Sequence, residues 1–225
     1  MREKVFSQEG LKVMACITML IDHIGAVLIP NMNLRIIGRL AFPIFCYLLV
    51  EGIWHTRNVK KYGIRLAIGA LLSEIPFDLL FFGQITWEHQ SIMVTLLLGL
   101  IAVFWGRKKK NYWLPFAVCF FAAEFLHTDY GGWGVALICM FAITEEMPNR
   151  YWMQLAGLAF VFWCMDSYVL TFGGLRIPIQ FFGMPALIPI WLYSGKKLTR
   201  NRVVQWVFYL FYPVHLAVLL LLVLL

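Results

Sequence analysis

Charge is scarce in this chain: Asp, Glu, Lys and Arg are 14% of 225 residues, where a soluble domain carries about 25%. With 61% hydrophobic residues and a mean hydropathy of +0.76, that shortfall excludes an ordinary soluble protein. It indicates an integral membrane protein. No polar stretch is long enough for a separate soluble domain, so one membrane domain over residues 1–225 is expected. Cysteine is sparse too. Cys16, Cys46, Cys119, Cys139 and Cys164 all fall in apolar runs without a CxxC pair, which excludes a disulfide framework and favours packing roles. HExxH and HxxxH patterns are missing, and His127-x-Asp129 alone is a poor metal signature, so no metal and no bound cofactor are expected. There is no Gly-rich phosphate loop, repeat, low-complexity tract or Gly/Ser linker. Arg2, Lys4 and Lys12 resemble a secretion-signal n-region. No small-x-small site follows, and Asp22 and His23 interrupt the apolar run, so it reads as a retained first helix.

What is present is a series of apolar runs near the ~20 residues a membrane helix needs. They predict an all-α polytopic bundle with spans at Leu11–Pro30, Ile36–Trp54, Gly63–Gly83, Ile92–Trp105, Tyr112–Leu126, Trp133–Ile143, Trp152–Phe172, Pro178–Gly195 and Val203–Leu224. The count is roughly nine, between about eight and ten.

Basic residues orient them. With a cytoplasmic N-terminus, 16 of the 19 Lys and Arg fall on the inner side, leaving only Arg35, Arg39 and Arg176 outside. That asymmetry fits the positive-inside rule and a multi-pass plasma (inner) membrane protein. The net charge of +7 is therefore spread over loops facing anionic lipid. Without an aromatic-basic platform, nucleic acid is not an expected partner.

Depth then locates the polar residues, at ~1.5 Å per helical residue. Asp22 and His23 lie near the midplane of the first span, where an ionised Asp costs roughly 2.5–3.5 kcal/mol on insertion scales. Arg39, Asp78, Glu74, Glu124 and Asp166 fall in the outer halves of other spans, Asp129 follows in an outer loop, and His215 sits mid-way along the last. Groups remote in sequence thus reach one stratum, and a shared polar cavity open to the outside is the economical explanation. Gly131, Gly132, Gly134 and Pro213 supply backbone breaks of the kind that line such cavities. Structural roles compete with functional ones. Arg39 is suited to pairing with Asp22 or Glu51, and Glu51 to an interfacial pair beside His55 and Arg57. His215 suits an interhelical hydrogen bond.

Several strings carry a resemblance: LKVMACITMLIDHIG (Leu11–Gly25), RIIGRLAFPIFCYLLVEG (Arg35–Gly52), HTRNVKKYGIRL (His55–Leu66) and SEIPFDLLFFG (Ser73–Gly83). TDYGGWGV (Thr128–Val135) and FYPVHLAVL near the C-terminus complete the set. Together they resemble the TraX family, related to the acyltransferase type 3 group and to lysosomal heparan glucosamine N-acetyltransferase. The resemblance implies a bacterial cell-envelope acetyltransferase that moves an acyl group from cytosolic acetyl-CoA or another acyl-CoA to an extracytoplasmic amine or hydroxyl. The acceptor would be a protein N-terminus, a glycan or a lipid head group. His23 matches a functional histidine of the wider group by position and setting. Asp22, Arg39, Glu51, Asp78, Asp129 and His215 carry over as motif members.

On that reading His23 is a general base or a transient acyl carrier, oriented by Asp22, Asp78 or Asp166. Arg39 or an amide near Gly131 is a candidate for the oxyanion. Lys60, Lys61 and Arg65, or the Arg107–Lys110 cluster, are candidates for CoA phosphates. The rival class is a proton-coupled transporter or permease, which would use the same buried ionisable groups. Against it, no pair of corresponding interrupted helices marks an inverted repeat.

Overall fold

The structure is a computed structural model that describes residues 5–165, 169–172, 174–199 and 201–225. Arg2, Lys4, Asp166 and Arg200 lie outside the described residues.

Helix α1 (Gln8–Val27) starts where Ser7 Oγ accepts from the Gly10 amide at 3.0 Å, with Glu9 in the first turn, an N-cap complementing the helix dipole. Asn31, Asn58 and Asn201 cap α2 (Met32–Gly38), α4 (Val59–Phe81) and α10 (Arg202–Leu224) in the same manner. Between them run α3 (Ala41–His55), α5 (Ile92–Lys109), α6 (Trp113–Phe125), α7 (Gly131–Thr144) and α8 (Arg150–Cys164). Among the described residues, three helical stretches are long and apolar enough to cross a membrane: Gln8–Val27, Met32–His55 and Val203–Leu224. Trp113–Phe125, Gly131–Thr144 and Ile179–Trp191 are apolar but shorter.

α3 is the central helix. Ile44, Cys46, Val50 and Ile53 are almost wholly buried, packed among α1, α5 and α7. α10 lies chiefly against α4 and reaches the core through Leu216 and Tyr212. Leu71, Trp113, Phe125, Trp152 and Trp163 point outward. Large apolar side chains exposed over many helices suit a lipid boundary and would be a liability in water.

Three expectations need correction. The second predicted span, Ile36–Trp54, falls within the candidate span Met32–His55 but is not one continuous helix: the chain tightens at Arg39, whose amide bonds to Ile36 O, before α3 begins. The seventh, Trp152–Phe172, stops as a helix at Cys164, and its far end is strand β1 (Val169–Phe172). β1 pairs antiparallel with β2 (Leu175–Pro178), Leu170 opposite Ile177. The all-α expectation therefore lacks one hairpin. The eighth, Pro178–Gly195, is a 3-10 segment, Ile179–Ala186, followed by the five-residue α9 (Leu187–Trp191). Pro178, Pro185 and Pro189 lack the amides a continuous α-helix needs there. At Gly183 a side chain would meet the Arg39 carbonyl at 2.8 Å, so this segment seats directly on the α2–α3 junction.

Candidate functional site

The α2–α3 break is what builds the polar centre. It turns Arg35 and Arg39, one helical turn apart, toward α1, where they take the two oxygens of Asp22 separately. Arg35 Nη1 donates to Oδ2 at 2.6 Å, and Arg39 Nη2 donates to Oδ1. Asp22 and Arg39 are buried, whereas Arg35 is part-exposed. Arg39 Nε also donates to the Arg35 carbonyl at 3.2 Å, and Nη1 donates to the Tyr130 hydroxyl at 3.3 Å. The guanidinium is thus fixed on three sides.

The close approach of α1 requires glycine at position 38. A Cβ there would lie 2.2 Å from both Cβ and Oδ1 of Asp22. Gly38→Ala is expected to lower thermal stability in detergent by about 1–3 kcal/mol, the range of core overpacking. Gly10→Ala should be nearly neutral, since its nearest neighbour would be 3.4 Å away. Equal losses in the two variants would contradict the packing argument.

Tyr130 reaches Arg39 from the α6–α7 connection. Its backbone is left-handed, φ 67°, an uncommon state for a side chain of this size. Three contacts hold it there. Its ring stacks on Phe42 with centroids 3.7 Å apart, Thr95 Oγ1 donates to the Asp129 carbonyl, and Glu124 Oε1 accepts from the Gly132 amide at 2.8 Å. Asp129 in this loop faces the cavity. Its depth in the protein pushes its carboxyl above the ordinary Asp range, against the pull of Arg39.

Asp22, His23, Arg35, Arg39, Asp129 and Tyr130 line a cavity of about 330 Å³, closed on other sides by Phe42, Phe77, Phe81 and Tyr212. His23 is one residue from the ion cluster but faces α4 and α10, edge-on to Phe81. Its Nδ1 lies 2.7 Å from Nε2 of His215 on α10. A second cavity, about 690 Å³, opens at the opposite ends of the same helices. Lys12, His55, Arg57, Arg65 and Lys197 ring its polar part, and Leu48, Leu96, Tyr62, Tyr209 and Phe208 form its apolar wall. Gln8 Oε1 and Arg65 Nε in this lining are buried without a hydrogen-bond partner among the described residues. Met19, Phe45, Ile92 and Tyr212 line both cavities, so one layer of side chains separates them.

Of the sequence candidates, Asp22, His23, Arg39 and Asp129 share the first cavity, and His215 joins through His23. Three acidic candidates lie outside both cavity linings. Asp78 Oδ2 accepts from the Thr86 amide at 2.9 Å and Glu74 binds Ser91 Oγ at 2.8 Å, so both secure the α4–α5 loop. Glu124 caps α7. Asp166 is outside the described residues. Arg65 lines the second cavity; Lys60 and Lys61 are exposed and do not. Glu51 accepts from Tyr193 at 2.9 Å with His55 3.3 Å away. Among the described residues no cluster of His, Cys, Asp and Glu could hold a metal ion.

Arg35, Tyr130, Lys12 and Tyr212 line the cavities without being sequence candidates. Arg35 had a visible signal, four residues before Arg39, and Tyr130 sits in the TDYGGWGV string. Lys12 passed for a topology determinant, and nothing distinguished Tyr212 from the other aromatics.

Long apolar helices around a buried ionic centre and two inward-reaching cavities define a helical membrane protein with a polar interior site. The chain belongs to the TraX protein family, matched over residues 7–223. It is 30% identical to a probable fimbrial assembly protein, FimC of serogroup H1, from Dichelobacter nodosus, over 95% of this chain and 94% of the relative. It is 27% identical to an uncharacterised protein of Rickettsia prowazekii, over 66% of this chain and 60% of that protein. No solved structure matches it.

Proposed function

We propose that this protein is a membrane-embedded acyltransferase that takes an acyl group from cytosolic acyl-CoA, with acetyl-CoA the simplest donor, and transfers it to an extracytoplasmic amine or hydroxyl. The observation that carries this reading is the pair of cavities meeting at Met19, Phe45, Ile92 and Tyr212 with His23 just beyond the shared wall. The basic ring of the inner cavity suits nucleotide phosphates, its apolar throat an extended thioester arm, and the outer cavity the acceptor. The orientation proposed follows from charge: the basic mouth and the Arg107–Lys110 end of α5 face the cytoplasm, with the N-terminus. About nine passes result if the short helices and the Ile179–Trp191 segment also cross.

In the transfer, the acceptor nitrogen or oxygen attacks the thioester carbonyl while His23 removes its proton. A C–N or C–O bond forms, the C–S bond breaks, and the CoA thiolate leaves and takes the proton. Tyr130 accepts from Arg39 and keeps its own hydroxyl proton to donate to the tetrahedral oxyanion. The naming of the Dichelobacter relative as a probable fimbrial assembly protein supports a protein amine on a surface-fibre subunit as the acceptor.

The test is thiol release from acetyl-CoA by purified protein with acceptor peptides, alongside thermal stabilisation by acetyl-CoA. Arg65→Glu is expected to raise KM for acetyl-CoA about 10–100-fold, the loss of one charged contact, with kcat within about two-fold. A proton-coupled transporter would show neither stabilisation nor thiol release, and that result overturns the proposal.

A further inference from the structure

The two imidazoles at the centre determine each other's proton positions. His215 Nδ1 lies 2.8 Å from the carbonyl oxygen of Phe211. A carbonyl has no proton to give, so His215 Nδ1 carries the hydrogen and donates. A neutral imidazole with a proton on Nδ1 has its lone pair on Nε2. That Nε2 faces His23 Nδ1 at 2.7 Å, so His23 Nδ1 must be the donor in turn. The rings are only 8° from parallel with centroids 5.0 Å apart. That separation equals the N···N distance plus the two ring radii, so the rings meet edge to edge in nearly one plane. It is the geometry of a straight hydrogen bond rather than of face stacking. His23 makes no other hydrogen bond among the described residues, and it lines the outer cavity.

We propose that His215 is a positioning residue that locks His23 in its Nδ1–H form and leaves Nε2 as the one nitrogen able to take a proton or an acyl group. Its catalytic part rests on the acyl-transfer reading; the tautomer itself does not. During transfer Nε2 gains the acceptor's proton, and Nδ1–H, now part of an imidazolium, bonds more strongly to His215. The arrangement parallels an orienting carboxylate behind a catalytic histidine, with a neutral acceptor anchored to backbone in its place. Asp22 does not take that role: its oxygens meet Arg35 and Arg39, and His23 Nδ1 turns instead to His215.

The experiment is nitrogen NMR of ring-labelled histidine in nanodisc-embedded protein, where five histidines keep assignment tractable. Wild type should show His23 with protonated Nδ1 and bare Nε2. His215→Leu should shift His23 toward the Nε2–H form that water favours, and lower turnover about 100-fold through misaimed geometry, leaving KM for acetyl-CoA unchanged. His215→Gln presents a carbonyl oxygen near the Nε2 position and should restore the Nδ1–H signature and most of the turnover. If His215→Leu fails to fold, the wild-type and His215→Gln spectra still decide. An Nε2–H signal in wild type, or a Gln variant no better than Leu, overturns the proposal. The Nδ1–H signature in a protein that releases no thiol sustains the lock and overturns acyl transfer instead.

Discussion

Asp22→Ala is expected to destabilise the protein by about 3–5 kcal/mol, the range for removing one partner of a buried ion pair. The Arg39 side chain is only 8% exposed, and without Asp22 its charge would sit in a low-dielectric interior beside Arg35. Most of the loss is the desolvation of an uncompensated cation, more than any attraction forgone. That makes a second variant informative: in Asp22→Ala with Arg39→Met, much of the stability should return, because the stranded charge is gone. Equilibrium unfolding in mixed micelles measures both. A loss under about 1 kcal/mol would mean that water or lipid head groups reach Arg39 freely, and the buried centre described here would not exist.

The second large effect is on turnover. His23→Ala should reduce acyl transfer about 10²–10⁴-fold, the contribution of a positioned general base, while the free energy of unfolding falls only by what one hydrogen bond and some ring packing contribute, about 1–2 kcal/mol. The two variants separate framework from chemistry although the residues are adjacent. Asp22 faces α2 and its arginines, whereas His23 faces α4 and α10. Wild-type turnover in His23→Ala would remove that imidazole as base or acyl carrier.

Much of the candidate site's lining is legible in the sequence because membrane burial makes polar residues conspicuous. Asp22–His23, Arg39, Asp129 and His215 each stood out as expensive in an apolar run. The same logic also picked out Asp78, Glu74 and Glu124, which lie outside the two cavity linings, since a carboxylate near a helix end is also what a loop amide needs. It fell short at Lys12, where an expected topological role hid a place in a cavity lining, and at Arg35, which counts in the charge bias only as an exception. The segment from Val169 to Trp191 misled through its apolarity: hydropathy does not separate a transmembrane helix from a hairpin followed by a proline-rich 3-10 turn.

Composition and charge placement by themselves determined that this is a helical membrane protein, one with strongly biased ends and a shared polar stratum. Those properties depend on position along the chain, and depth in a helix is simply counted from its ends. Which polar groups meet was decided only by the tertiary structure. The pairing of Asp22 with two arginines, the His23–His215 bond and the thin wall between the cavities depend on how each helix is rotated about its axis and how closely its neighbour approaches. Gly38 against Asp22 and Gly183 against the Arg39 carbonyl set those approaches. Side-chain packing fixes that rotation, and no count along one helix contains it.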